Sequence, residues 1–234
     1  MARRIVVEGL ADACCQVLRH GVAAFEFQGA SLYSRPVSEL PIELPPALAE
    51  QLGAAFDIEG KLGRSLNEVG RLTGQDVAIL GRSDRVGRQL ADLGARVFAL
   101  EWPISDGQTS AGAADAIVSL WDGFAGANPT EVATADRILR PGGRLLVVHD
   151  YGRDDVSRLL GERPQYVSWG RVNGPFLRSG FRIRVVHCWW TFPSVESAAA
   201  FVTEAFDGRG AEVAASLRRP RLSYNVAIYH RTRP

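Results

Sequence analysis

The spacing of hydrophobic positions changes near residue 76. Before it, Leu10, Cys14, Val17 and Leu18 fall on one face of a helix expected over Gly9–Arg19, and two further helices are expected over Pro46–Phe56 and Gly60–Leu72. Between them lie an aromatic, strand-like or irregular stretch, AAFEFQGASLYSRP, and the proline-punctuated SELPIELPP. The first 75 residues therefore read as a helical N-terminal cap, and no second core sets them apart as an independent domain.

From Asp76 onward short apolar runs alternate with helical stretches. QDVAILG, ARVFALE, ADAIVSLW and RLLVVHD have the composition of buried strands, and VGRQLADLG lies between the first two. Asn128-Pro129-Thr130-Glu131 opens a helix, with Asn as N-cap and Pro in the first helical position, and Arg140-Pro141-Gly142-Gly143 stops it. This alternation over short links predicts a doubly wound, mostly parallel α/β sheet across residues 76–234. The tail differs. RIRVVHCWWTF and LSYNVAIYHR read as strands around a helix over Val195–Phe206 capped by Ser194, which allows an antiparallel pair at one sheet edge.

Composition narrows the function classes. The chain has 234 residues, a net charge of +1 and 23% charged residues, which excludes wholesale disorder and gives no general field for nucleic acid or an anionic membrane. No run approaches the roughly 20 apolar residues of a membrane span, and the N-terminus lacks a secretory pattern, so a cytoplasmic location is expected. Cys14, Cys15 and Cys188 show no metal-ligand spacing and read as buried thiols. Lys61 is the only lysine, and the abundance of Arg and Ala points to a GC-rich bacterial genome.

The succession of strand, glycine turn, helix and strand ending in an acid, then ADAIVS and ADRILRPGGRLLVVHD, resembles the class I S-adenosylmethionine-dependent methyltransferases. Arg140-Pro141-Gly142-Gly143 before a buried strand carries the resemblance furthest, and the closing strand–helix–strand tail is similar as well; together they span roughly Gln75 to His230. The resemblance implies a Rossmann-like sheet, S-adenosylmethionine as cofactor and a small-molecule methyl acceptor. It implies a cofactor turn at Gly81 and Ser83, a ribose contact from Glu101 and an adenine-covering Trp102. Asp122 and His149, just beyond the third and fourth strands, would face the acceptor.

The chain departs from the family pattern in two places. An acid and two further glycines of the first motif are replaced by Ile79, Ser83 and Arg85, which puts bulk and positive charge near a sulfonium ligand and counts against ordinary cofactor binding. Between Glu101 and Asp115 only thirteen residues remain, too few for the ~10–12 residues of a crossover plus about five of strand. The family's third strand is therefore expected to be missing, which makes the second strand an edge open to pairing with a second copy of the chain as a homodimer.

Rival readings follow from the same residues. A non-catalytic descendant of the fold, acting as a binding or scaffolding protein, accounts for the degraded motif. The loop Gly81–Gly87, GRSDRVG, is also locally similar to the NADP-binding turn of methylenetetrahydrofolate dehydrogenases, where helix N–H groups favour a phosphate. His149 could take a proton from an acceptor, or could be a strand-end histidine satisfied by a carbonyl. Trp189 and Trp190 are adjacent on a strand and must face opposite ways. The arginines at 218, 219, 221, 231 and 233 read as a solvated, acid-paired face more than as a nucleic-acid site. No metal site is expected.

Overall fold

The computed structural model describes residues 42, 44–80, 84–101, 103–104, 109–121, 123–161 and 164–234. The expected helix over Gly9–Arg19 and the aromatic stretch after it lie outside the described residues, as do Gly81, Ser83, Trp102 and Asp122.

Two helices, α1 (Pro46–Ala55) and α2 (Lys61–Gly70), precede the first strand, β1 (Asp76–Leu80). The chain continues through α3 (Asp84–Asp92), β2 (Arg96–Leu100), β3 (Ala114–Leu120), α4 (Pro129–Ile138) and β4 (Leu139–Asp150). Three short helices, α5 (Asp155–Leu160), α6 (Pro164–Trp169) and α7 (Pro175–Arg178), lead to β5 (Arg182–Thr191), α8 (Val195–Ala205), α9 (Asp207–Ser216) and β6 (Arg221–Thr232). The strands form one sheet in the order β2-β1-β3-β4-β6-β5. β1 to β4 are parallel, and β6 runs antiparallel between β4 and β5.

This is a Rossmann-like, doubly wound sheet, mostly parallel and closed by an antiparallel pair, as expected from the sequence. Among the described residues no strand or helix lies between β2 and β3, and β2 is the sheet edge. The thirteen residues between Glu101 and Asp115 thus contribute no strand of their own among the described residues.

Side-chain alternation builds two apolar layers. On one face Val77, Ile79, Val118, Leu146 and Val148 pack against Leu52 of α1, Leu62 and Leu66 of α2, and Leu90 of α3. On the other, Ala78, Leu80, Ile117, Leu145 and Val147 meet Ala135 and Ile138 of α4 together with Phe176 and Phe181. α1 and α2 therefore share the core of the sheet. The bridge Phe56↔Trp190 adds the end of α1 to the outer strand β5.

Local chemistry sets several boundaries. Asn128 caps α4 by accepting the Thr130 N–H at 3.0 Å, with Pro129 in the first turn. Ser194 caps α8 in a reciprocal box with Ser197. The Arg140–Gly143 segment ends α4 as expected, but it is not a free turn. β4 already begins at Leu139 beside Ala114, and the ladder shifts register before resuming at Arg144, with Gly142 at φ +77° taking up the irregularity.

Arg140 also joins a charge network across the amino ends of the parallel strands. It lies 2.9 Å from Asp76 and 2.7 Å from Asp115, and Asp76 pairs with Arg96 at 2.6 Å. These arginines hold both carboxyls below their usual range, most directly through the hydrogen bonds to Asp76.

Candidate functional site

In an open parallel sheet, ligands sit beyond the carboxyl ends of the strands, where successive crossovers diverge. Here the divergence falls between β1 and β3: the chain passes from β1 outward to β2 and then returns across β1 to β3. The end of β1 at Leu80 and the loop after β3 lie at this divergence. In sequence, Gly81 and Ser83 follow the first and Asp122 falls within the second.

The loop after β3 is conformationally costly. Trp121, Phe124 and Ala127 have φ of +58°, +53° and +55°, and Gly123 and Gly126 are also left-handed. Each non-glycine residue there costs about 1–2 kcal/mol. Specific contacts hold it. The Trp121 backbone N–H donates to the Val148 carbonyl at 2.9 Å, and its indole N–H donates to Asp150 Oδ1 at 2.9 Å. Phe124 is fully buried, so it anchors the loop and does not wall the crevice. Glu131 backs the loop from the first turn of α4. Burial raises its carboxyl, partly opposed by the Phe124 backbone.

β4 delivers His149 and Asp150 to opposite faces, as period-two alternation requires. Asp150 is 3% exposed and accepts from Trp121 and from the Tyr224 hydroxyl. Burial and the Asp150 carboxylate push the Tyr224 phenol well above its ordinary range. Asp150 is thus consumed inside the protein.

His149 was expected at the acceptor as a proton-taking group, and the structure buries it at 3% exposure. Its ring lies edge-to-face against Trp169 at 4.8 Å, 6.0 Å from the stacked Tyr166 ring and 6.0 Å from Phe176. Neither ring nitrogen makes a hydrogen bond of good geometry among the described residues. Burial lowers its pKa to about 4, with the Gly123 backbone opposing the shift too weakly to restore it. The imidazole is neutral near pH 7 and meets the surface through Tyr166. The burial comes from α6 and α7, long after β4 in sequence.

Glu101 follows β2 directly and is exposed, at the sheet edge where a ribose contact would be made. Arg85 does not behave as the sequence suggested. Its Nη1 donates to the Gly53 carbonyl at 2.7 Å and to the Phe56 carbonyl, tying its charge to the C-terminal end of α1. Buried Asp57, whose carboxyl burial raises, is a further electrostatic partner of Arg85. The charge that appeared to exclude a sulfonium is thus partly neutralised by the cap.

Beyond the end of β4 opens a cavity of about 610 Å³, lined by Tyr151, Arg153, Arg158, Tyr166, Arg171 and Arg209 among others. That volume lies in the usual range for small-molecule sites. Sequence reading missed it because its walls come from α5, α6 and α9, which the sequence did not reveal. The aromatic and arginine residues noted earlier have other duties. Trp190 is fully buried, whereas Trp189 stacks under Arg221 at 4.3 Å. Arg231 pairs with Asp136 at 3.0 Å, and Arg233 donates to the Leu139 carbonyl. Cys188 is a buried thiol whose pKa burial and Asp57 raise. Among the described residues no cluster could hold a metal ion, and no helix is long and apolar enough to cross a membrane.

No family model matches the chain, and no curated protein matches its sequence. Solved structures do show likeness. One is provisionally assigned as a type II methyltransferase from Anaeromyxobacter dehalogenans, 19% identical, covering 74% of this chain and 95% of that one at a TM-score of 0.47. Another, provisionally assigned as a methyltransferase of an antibiotic biosynthesis pathway from Anabaena variabilis, is 12% identical over 76% and 98% at 0.46. A third is a phosphoethanolamine N-methyltransferase from Haemonchus contortus, solved with phosphomonomethylethanolamine and S-adenosylhomocysteine. It is 14% identical over 76% of this chain and 53% of that one at 0.38. At this degree of likeness the chain's own topology and residues carry the functional reading.

Proposed function

We propose that the protein transfers a methyl group from S-adenosylmethionine to a small molecule. The observation that carries this reading is the coincidence of the topological divergence between β1 and β3 with the anchored, left-handed loop formed by Trp121, Gly123, Phe124, Gly126 and Ala127. Strain of this kind persists where surrounding contacts over-determine it, and it clusters at functional sites. The residues fit the cofactor in kind. Gly81 and Ser83 supply a small-residue turn, Glu101 a carboxylate for ribose hydroxyls, and Trp102 a face for adenine. The hold of α1 on Arg85 weakens the electrostatic objection.

The cofactor would supply an electrophilic methyl carried on a sulfonium. The chain's task is then alignment and exclusion of water, since methyl transfer needs nucleophile, methyl and leaving sulfur in line. Asp122 would take or hold a proton of the acceptor. His149, neutral in its aromatic box, lends a polar surface behind Tyr166 and is a weak base at pH 7.

The test is calorimetric titration of S-adenosylhomocysteine, with NADP in parallel. Binding tighter than about 1 mM is expected for the first and not for the second. Glu101→Ala should weaken it about tenfold, the effect of losing a charge-assisted hydrogen bond. An unchanged affinity refutes the ribose assignment. Failure of both ligands to bind refutes methyl transfer.

A further inference from the structure

The cavity beyond β4 is positively charged in a way the fold does not need. Four arginines line it: Arg153, Arg158, Arg171 and Arg209. The two carboxylates lining it among the described residues are already engaged. Asp150 accepts from Trp121 and Tyr224, and Asp154 accepts the backbone N–H groups of Ser157 at 2.7 Å and Asn225 at 2.8 Å. Arg158 has its own partner, Asp155, at 3.0 Å. Arg153, Arg171 and Arg209 form no ion pair among the described residues; Glu162 and Arg163, near this rim in sequence, lie outside them.

The wall presenting these charges is built and stiff. Arg153 sits at φ +62° directly after Gly152 at +86°. A left-handed arginine is unfavourable, and here β6 enforces it. The Asn225 side-chain amide donates to the Gly152 carbonyl at 3.2 Å and the Arg153 carbonyl at 3.4 Å. The Tyr151 N–H donates to the Asn225 carbonyl at 2.9 Å. Arg209 reaches the cavity from α9, its guanidinium lying against Gly161, which ends α5 at φ +78°. Three guanidiniums on one concavity suit anion recognition, because each fork can donate two parallel hydrogen bonds to a carboxylate or phosphate. Tyr151 and Tyr166 supply apolar wall beside the charge.

We infer that this cavity holds the anionic end of the methyl acceptor, a carboxylate or phosphate group gripped by Arg153, Arg171 and Arg209. The word acceptor rests on the methyl-transfer reading; the anion site rests on the cavity alone. The probes are inorganic phosphate and benzoate, titrated into the full chain by thermal shift and calorimetry at constant ionic strength, with S-adenosylhomocysteine as a separate arm. Saturable binding in the millimolar range is expected for at least one anion. Arg171→Ala should weaken it about threefold to tenfold, and the triple variant R153A/R171A/R209A should weaken it more than about tenfold. Arg178→Ala, an exposed arginine outside the cavity, should leave it unchanged. Preference for phosphate or for benzoate identifies which anion the site is cut for. Equal binding by the triple variant, or a response that chloride at equal ionic strength reproduces, overturns the proposal. Arginine-dependent anion binding without S-adenosylhomocysteine binding keeps the anion site and refutes methyl transfer. The converse result refutes the anion site and keeps methyl transfer.

Discussion

An imidazole buried with no well-formed hydrogen bond among the described residues is a burden on stability, and its size can be worked out. Replacing His149 by leucine, of similar volume, removes two buried nitrogens that find no good partner. Unsatisfied buried polar groups cost about 1–3 kcal/mol each, so at pH 7 the variant should be at least as stable as the parent, and by about 1 kcal/mol more so if the pocket closes well. The larger effect appears in acid. The unfolded histidine titrates near 6.5 and the folded one at about 4. As pH falls through that window the unfolded chain binds the proton first. The contribution of neutral His149 is therefore whole above 6.5, is lost progressively toward 4, and does not change further below. At about 1.36 kcal/mol per pH unit the loss amounts to about 3 kcal/mol, an upper figure that the variant should not show. Other groups, among them buried Asp57 with its raised carboxyl, titrate in both proteins and cancel in the difference. Urea unfolding followed by tryptophan fluorescence at steps across the window measures it. Parallel stability curves, or a parent more stable than the variant by over about 1 kcal/mol at pH 7, would refute the reasoning. If the imidazole is retained for the acceptor, the variant should also lose acceptor turnover while keeping S-adenosylhomocysteine affinity.

Two further substitutions test the supports of the site. Tyr224→Phe keeps the ring and deletes the hydroxyl donated to buried Asp150, so it should cost about 1.5–3 kcal/mol in urea unfolding; combined with Trp121→Phe the losses should depart from additivity by over about 0.5 kcal/mol, because both donors serve one carboxylate oxygen. Strict additivity would mean the two act separately. Arg85→Ala frees the C-terminal carbonyls of α1, and it should cost about 1–2 kcal/mol and expose the Pro46–Phe56 segment to limited proteolysis; an unchanged cleavage pattern would show that core packing alone holds the cap.

Much of the sheet was legible because local signals agreed with the fold. The apolar runs at Asp76, Arg96, Ala114 and Arg144 each became strands, and Asn128 and Ser194 capped the helices their positions foretold. The missing strand was a matter of length alone. The duty of Arg140 was not legible, because Asp115 and Asp76 stand far from it in sequence and meet it only when three strand ends align. Arg85 misled for the same reason: its partners, Gly53 and Phe56, belong to a helix some thirty residues earlier. The placement of His149 and Asp150 on opposite faces follows from strand period, but the burial of His149 depends on Tyr166, Trp169 and Phe176, which a single strand cannot announce. The cavity arginines are scattered over α5, α9 and the turns after β4 and α6, segments whose periodicity is too short or too weak to read.

The distribution of local rule-breaking separates the two ends of the sheet. At the amino ends the charges are mutually satisfied, with Arg96, Asp76, Arg140 and Asp115 pairing in sequence around the strand starts. At the carboxyl ends the compromises accumulate. Of the seven non-glycine residues with positive φ among those described, four lie in the loops leaving β3 and β4: Trp121, Phe124, Ala127 and Arg153. Asp57, Arg71 and Asp207 sit instead beside helix ends, where left-handed residues close turns. The orphaned His149 and the arginines of the cavity belong to the same end. A sequence selected for stability alone would have placed glycine at the left-handed positions and leucine in the aromatic box. Local conflict with the global fold is tolerated where another requirement holds it in place. Apart from the register shift at Ala114–Ala116, the amino end satisfies its charges, whereas strain gathers at the carboxyl end, the end at which we propose that the protein acts.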